Sequence, residues 1–269
     1  MKFSVFARVA VWSLLLGNWT QTATADEAPA ACDYQTAERA EDYETGRPAQ
    51  PSEAWLLSAG GRIYDKWWEA LGRPAPVYYT HPAYPAEGKA SGADTWRCAE
   101  CHGWDYKGAA GLSHEGTESY TGIKGIEAWK GRDEADIVAL LRAPLHGYTE
   151  EMIDDDGMER IAAFVSRGQV DMSRYIDLQT GDLLAGDPAR GRMVFQTICA
   201  ACHGFDGRRL DFGIGKEHAF IGTEASQYPT QVLHKILSGF PGREMVNLRA
   251  FGPDTAIDVL SYEATLPTE

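Results

Sequence analysis

The chain has 269 residues and carries 25 Lys and Arg against 39 Asp and Glu, a formal net charge of −14. That balance keeps a protein soluble, argues against a nucleic-acid partner, and suits docking to basic partner proteins steered at long range. After the first 25 residues no stretch is apolar enough for a bilayer span, which takes about 20 residues.

In chain order, the first element is a leader. Met1-Lys2 and Arg8 form a positive region, Val9 to Leu16 an apolar stretch, and Ala23-Thr24-Ala25 a small-residue cleavage site before Asp26. Residues 1–25 therefore read as a secretory signal peptide, and a periplasmic location is expected. Cleavage leaves 23 basic against 39 acidic side chains, near −16. Residues 26–50 form a polar N-terminal tail. Its Cys32 is an odd thiol, either free or paired between chains.

The segment from Gly60-Gly61-Arg62-Ile63-Tyr64 through Asp65 to Leu71 reads as a helix. Residues 72–97 hold Pro74, Pro76, Pro82 and Pro85, which predicts an ordered irregular loop. Cys98-Ala99-Glu100-Cys101-His102 follows, and Cys199-Ala200-Ala201-Cys202-His203 repeats the pattern a hundred residues on. Cys-x-x-Cys-His is the attachment signature of c-type haem. Two thiols add across the vinyl groups and the adjacent His becomes the proximal iron ligand. The chain is thus expected to carry two covalently bound c-type haems, on Cys98, Cys101, Cys199 and Cys202, with His102 and His203 as proximal ligands. A structural zinc site would need further Cys or His at ligand spacing. A redox dithiol would be expected beside a βαβ pattern, which is absent from the sequence.

Between the motifs, Trp96 and Trp104 flank the first attachment site and are expected to pack on haem edges. A helix is predicted over 134–142, with Ile137, Val138, Leu140 and Leu141 apolar. A closing helix is predicted over 154–167, with Met158, Ile161, Ala162 and Phe164 inward. The acidic run Asp154-Asp155-Asp156 fits that helix's N-terminus, where the dipole favours negative charge. Residues 168–187 read as a linker packed through Tyr175, Ile176 and Leu178.

The second copy starts with Gly191-Arg192-Met193-Val194-Phe195, in which Met193 reads as a core methionine. A polar loop is expected through Gly213, Gly215 and Phe220-Ile221-Gly222. Gln231 to Ser238 shows helical spacing, with His234 expected at the surface or on a haem propionate. Phe240-Pro241-Gly242 breaks that helix and Met245 lies beyond. A last helix is predicted from about Asp254 to Ala264, with Ala256, Val259, Leu260 and Tyr262 inward. The chain is an imperfect internal duplication.

This order of helix, Cys-x-x-Cys-His, loop, helix, Met loop and closing helix resembles the class I cytochrome c family. The resemblance implies an all-α fold with two class I cytochrome c domains in tandem, residues 51–167 and 188–269, joined by 168–187, the first carrying a long loop insertion. It also implies Met245 as distal ligand of the second haem, although Val246 stands where the family usually has Pro. Aligning the closing helices places Arg160 to Phe164 on Asp258 to Tyr262. Met245 is 17 residues before Tyr262, His146 is 18 before Phe164, and Met152 only 12 before it. His146 therefore occupies the ligand slot of the first copy, with Met152 as the alternative. His81 and His114 lie in loops where the family places no ligand.

The expected function is that of a periplasmic dihaem cytochrome passing electrons between redox protein partners. His/His ligation should give the first haem the lower potential and His/Met the second the higher. The alternative is a dihaem enzyme acting at the first haem. Thiosulfate dehydrogenase-type cytochromes are similar in domain order, but their active-site haem carries a distal cysteine. Here none lies between Cys101 and Cys199, and Cys32 would have to fold back. A peroxidase would need one open distal site. No catalytic residue is assigned, and no nucleotide loop, zinc-protease or nucleophile-elbow motif occurs.

Overall fold

Ser52 starts the first helix by accepting the Trp55 N–H on its hydroxyl at 3.1 Å, and α1 runs Glu53–Ala70. The computed structural model describes residues 47–77, 79–215 and 217–269, which lie within one unit of the chain, Glu38–Glu269. The signal peptide, Cys32 and the start of the polar tail fall outside the described residues. The remaining helices are α2 (Cys98–His102), α3 (Glu134–Arg142), α4 (Asp155–Ala163), α5 (Pro188–Val194), α6 (Ala200–His203), α7 (Ile221–Gln227), α8 (Pro229–Ser238) and α9 (Pro253–Glu263). The fold is helical. Among the described residues there are no strands, only two isolated bridges, Gly108 with Lys124 and Ile176 with Leu183. No described helix is long and apolar enough to cross a membrane.

Each cap follows from its residue. Asp133 starts α3 and accepts the Ala135 N–H at 2.8 Å; Asp154 starts α4 and accepts the Gly157 N–H at 2.8 Å. Asp187 does the same for α5, whose first residue is Pro188, a position where proline costs no hydrogen bond. The closing helix of the first copy ends in a widened π turn, Phe164–Gly168. A second π turn, Phe195–Cys199, joins α5 to α6, so Gly191 leads without a break to Cys199.

One crossing occurs twice. A methyl group on Gly60 of α1 would strike the Arg160 carbonyl and come within 2.6 Å of Phe164 Cβ. A methyl on Gly191 of α5 would strike the Asp258 carbonyl and approach the Val259 nitrogen to 2.9 Å. Gly60 and Gly191 thus let two helix pairs, α1 with α4 and α5 with α9, meet backbone to backbone. The two helices that end each Cys-x-x-Cys-His motif also close alike: Gly103 has φ 76° and Gly204 φ 82°, conformations that favour glycine.

Four details differ from the sequence reading. Residues 221–227 form α7, where a polar loop was expected. The helix has under two turns, too few for periodicity to register, and Thr223 starts it by accepting the Phe220 N–H at 3.2 Å. Met193 is 65% exposed and no part of the core. On α9 it is Glu263 that is buried, while Tyr262 is half-buried and takes a hydrogen bond from Gln196 at 2.8 Å. His234 is completely buried rather than at the surface.

Candidate metal centres

His102 is the last residue of α2, four positions past its first, Cys98. Its Nδ1 lies 2.7 Å from the Lys124 carbonyl. A carbonyl only accepts, so Nδ1 carries the proton and Nε2 is left with a free lone pair. His146, in the turn after α3, repeats the arrangement: its Nδ1 lies 3.2 Å from the Leu140 carbonyl. Burial lowers the pKa of both rings below the usual histidine range, which favours the neutral, ligating form.

The two ring centroids lie 6.3 Å apart, with the planes tilted by 30°. Two imidazole nitrogens each about 2 Å from one metal ion place their ring centroids roughly 6 Å apart. That spacing would let the two imidazoles hold one metal ion between them, and Cys98 and Cys101 lie on the same short helix as His102. Burial pushes the Cys98 thiol up to about 11 and Cys101 up to about 12. Among the described residues no three His, Cys, Asp or Glu side chains converge as a metal-ion site, so the two motifs do not join into one zinc centre.

The surroundings hold this centre in place. Tyr64 on α1 donates its hydroxyl to the Gly103 carbonyl at 2.7 Å, and Thr121 donates to the Cys101 carbonyl at 3.0 Å. Arg142 at the end of α3 donates to the carbonyls of Tyr148 at 3.2 Å and Ile153 at 2.8 Å, closing the turn that carries His146. Met152 packs on the hydrophobic core and its N–H bonds the Thr149 carbonyl at 3.2 Å. His114 bonds the Glu115 carbonyl beside it. His81 has both ring nitrogens engaged, Nε2 with the His146 carbonyl at 2.9 Å and Nδ1 with the Ala83 N–H at 3.1 Å.

His203 ends α6 and is buried between Phe195 and Phe212, with ring centroids 6.3 Å and 6.2 Å away. Burial lowers its pKa, so it too is set as a neutral base. Unlike His102, its Nδ1 is buried with no hydrogen-bond partner among the described residues. Cys199 is half-buried and pushed up to about 12 by burial, while Cys202 is exposed. Met245 is half-buried in the loop between α8 and α9, its N–H on the Arg243 carbonyl at 2.9 Å. No hydrogen bond or ring contact joins Met245 to His203 among the described residues. The structure brings the His102 and His146 rings together.

A buried charge cluster that the sequence did not announce joins α1 to α8 and to Arg97, the residue before Cys98. Asp65 of α1 is buried and accepts from Arg97 and from Lys235, each at 2.7 Å. Burial alone would raise its pKa, but Lys235 and Arg97 outweigh it and hold the carboxyl below its ordinary value. Both cations also lie over the Trp104 ring, at 5.5 Å for Arg97 and 5.3 Å for Lys235. Trp104 therefore packs in this seam, 5.3 Å from the His234 ring.

The chain matches no family model and no curated protein sequence. Among solved structures it is similar to the reducing HAO-like protein complex of Kuenenia stuttgartiensis, at 17% identity over 62% of this chain and 90% of that one, with a TM-score of 0.24. It is also similar to the as-isolated thiosulfate dehydrogenase (TsdBA) of Marichromatium purpuratum, at 16% identity over 86% of this chain, with a TM-score of 0.22. The chain spans about half the length of that second protein, 51%.

Proposed function

We propose that the chain is a dihaem c-type cytochrome that passes electrons between redox protein partners. The observation that carries this reading is the close pair of His102, the last residue of a Cys-x-x-Cys-His motif, and His146, with each Nδ1 tied to a backbone carbonyl. In this reading residues 51–167 and 188–269 are two class I cytochrome c domains in tandem. Cys98, Cys101, Cys199 and Cys202 hold the two haems covalently. His102 and His146 ligate the first iron, and His203 and Met245 the second.

Haem iron supplies the one-electron chemistry; the protein supplies ligands, orientation and potential. The Lys124 carbonyl accepts from His102 and strengthens it as a donor. His203 receives no such support, and Met245 is a softer ligand than His146. Both differences lower the first potential relative to the second. Electrons then run from the first centre to the second. The acidic surface suits partners with basic docking faces. The leader at residues 1–25 supports a periplasmic site of action, where attachment of this type takes place. His146 filling the distal position supports a carrier over an enzyme that opens its first centre to substrate.

The test is a potentiometric titration of the holoprotein with optical and EPR spectra at each stage. Two low-spin centres with separated potentials, the lower one bis-histidine, are expected. A high-spin centre, or one that turns five-coordinate and binds carbon monoxide on reduction, would overturn the carrier reading.

A further inference from the structure

Loop 72–97 has no counterpart in the second copy, where the helix holding Gly191 runs directly to Cys199. We propose that this loop is a clamp on the distal ligand of the first centre, and that His81 is its positioning residue. The proposal rests on the assignment of His146 as that ligand.

The loop touches the ligand turn at two points, one on each side of Gly147. His81 Nδ1 accepts the Ala83 N–H at 3.1 Å, which leaves Nε2 to carry the proton and donate to the His146 carbonyl at 2.9 Å. Two residues on, the Tyr148 hydroxyl donates to the Trp96 carbonyl at 2.9 Å. Trp96 stands two residues before Cys98, so the second contact ties the ligand turn to the haem-attachment helix itself. The two anchors are also tied to each other, with the His81 and Trp96 rings 4.4 Å apart at 66°.

His81 is itself fixed. It is 8% exposed, and its N–H donates to Thr95 Oγ1 at 2.8 Å, which in turn donates to the Gly92 carbonyl at 2.6 Å. The Trp96 indole donates to the Tyr79 carbonyl at 2.8 Å. With both ring nitrogens in use, His81 is not a ligand. Its chemistry is spent on the backbone of the residue that is. Gly147 has φ 64°, a conformation that glycine favours, and Arg142 holds the side of the turn that faces α4. The clamp holds the other side, against the loop and Trp96, and slows release of the His146 imidazole.

The experiment uses the full-length holoprotein and reads carbon monoxide binding to the reduced first centre and its EPR spectrum when oxidised. The second centre's spectrum serves as an internal check of folding. His81→Phe keeps a ring against Trp96 but loses the donor; His81→Gln keeps a donor. Loss of one buried hydrogen bond is expected to speed carbon monoxide binding at the first centre roughly fivefold to tenfold in His81→Phe, with His81→Gln returning close to wild type. Thr95→Val, which frees the His81 backbone without touching its ring, should shift the rate in the same direction and keeps the test open if His81→Phe fails to accumulate. A wild-type rate and spectrum in a folded His81→Phe or Thr95→Val protein would overturn the clamp. His146→Ala separates the two claims: if the first centre stays low-spin and unchanged in that variant, the ligand assignment itself has failed.

Discussion

His234 of α8 donates its Nε2–H to the Gly61 carbonyl of α1, 2.8 Å away. Its Nδ1 then accepts from the Tyr106 hydroxyl at 2.8 Å, so one imidazole joins α8, α1 and the turn after the first attachment helix. Both nitrogens are used in the neutral form, and burial drives the group down to about 4. An unfolded histidine titrates near 6.5. Above that pH both states are neutral and the group adds no pH dependence. As pH falls from about 6.5 to 4, only the unfolded state takes up the proton, and stability drops by up to about 3 kcal/mol. His234→Gln can make both hydrogen bonds without titrating. Denaturant midpoints from pH 7 to 4 should fall less steeply in that variant; equal slopes would show that His234 does not carry the effect.

The Asp65 cluster gives a second acid-sensitive element, in a lower window. Its folded pKa lies below the unfolded value of about 3.9, so its contribution is complete above that value and is lost as pH falls through the folded pKa. Removing the charge leaves Arg97 and Lys235 buried without their shared partner. Asp65→Asn should cost about 3 kcal/mol at pH 7, measured by urea unfolding. A loss under about 1 kcal/mol would mean that the pair is effectively solvated.

At the first centre, His146→Ala should remove the low-spin signal of one haem and leave the other intact. Met152→Leu should leave both spectra unchanged, because Met152 packs on the core. Loss of the low-spin signal in Met152→Leu instead would reverse the assignment.

The two helix crossings predict sensitivity to a single methyl group. Gly60→Ala and Gly191→Ala each force backbone apart, with an expected loss of about 2–3 kcal/mol in chemical unfolding. Gly116→Ala, where the added carbon would meet nothing within 4 Å, is a control for crowding, although its φ of 96° leaves backbone strain.

Much of this architecture was legible in the sequence. The stretch 134–142 coincides with α3 because an Asp cap precedes it and its inward face, Ile137 and Leu141, is regularly spaced. Counting back from the closing helices singled out His146, whose ring centroid lies 6.3 Å from that of His102. The count assumed that Arg160 and Asp258 correspond, and these are the residues whose carbonyls Gly60 and Gly191 approach. His234 was illegible for a physical reason. Periodicity assigns one inward face to a helix, but α8 is buried nearly all round, so the polar position between Leu233 and Lys235 is covered as well. The Lys124 carbonyl left no trace either, since a backbone acceptor has no side-chain signature. His81 was set aside as a loop residue because ligand spacing speaks only to the iron, not to what steadies its ligands.

Gly60 and Gly61 are consecutive on α1 and serve different neighbours. The first meets α4; a methyl on the second would come within 2.8 Å of Ser238 Cβ on α8. Adjacent residues on a helix point about 100° apart, so one turn of one rod sets the distance to both. In the proposed reading, the spacing of the two haem sites is set by α1 meeting the α4 backbone on one side and the short Ser238 side chain on the other. Surface substitutions that leave these contacts alone leave that spacing unchanged. A one-residue insertion in α1 between its two contacts would rotate one partner away from the other and detune transfer between centres that are each still intact.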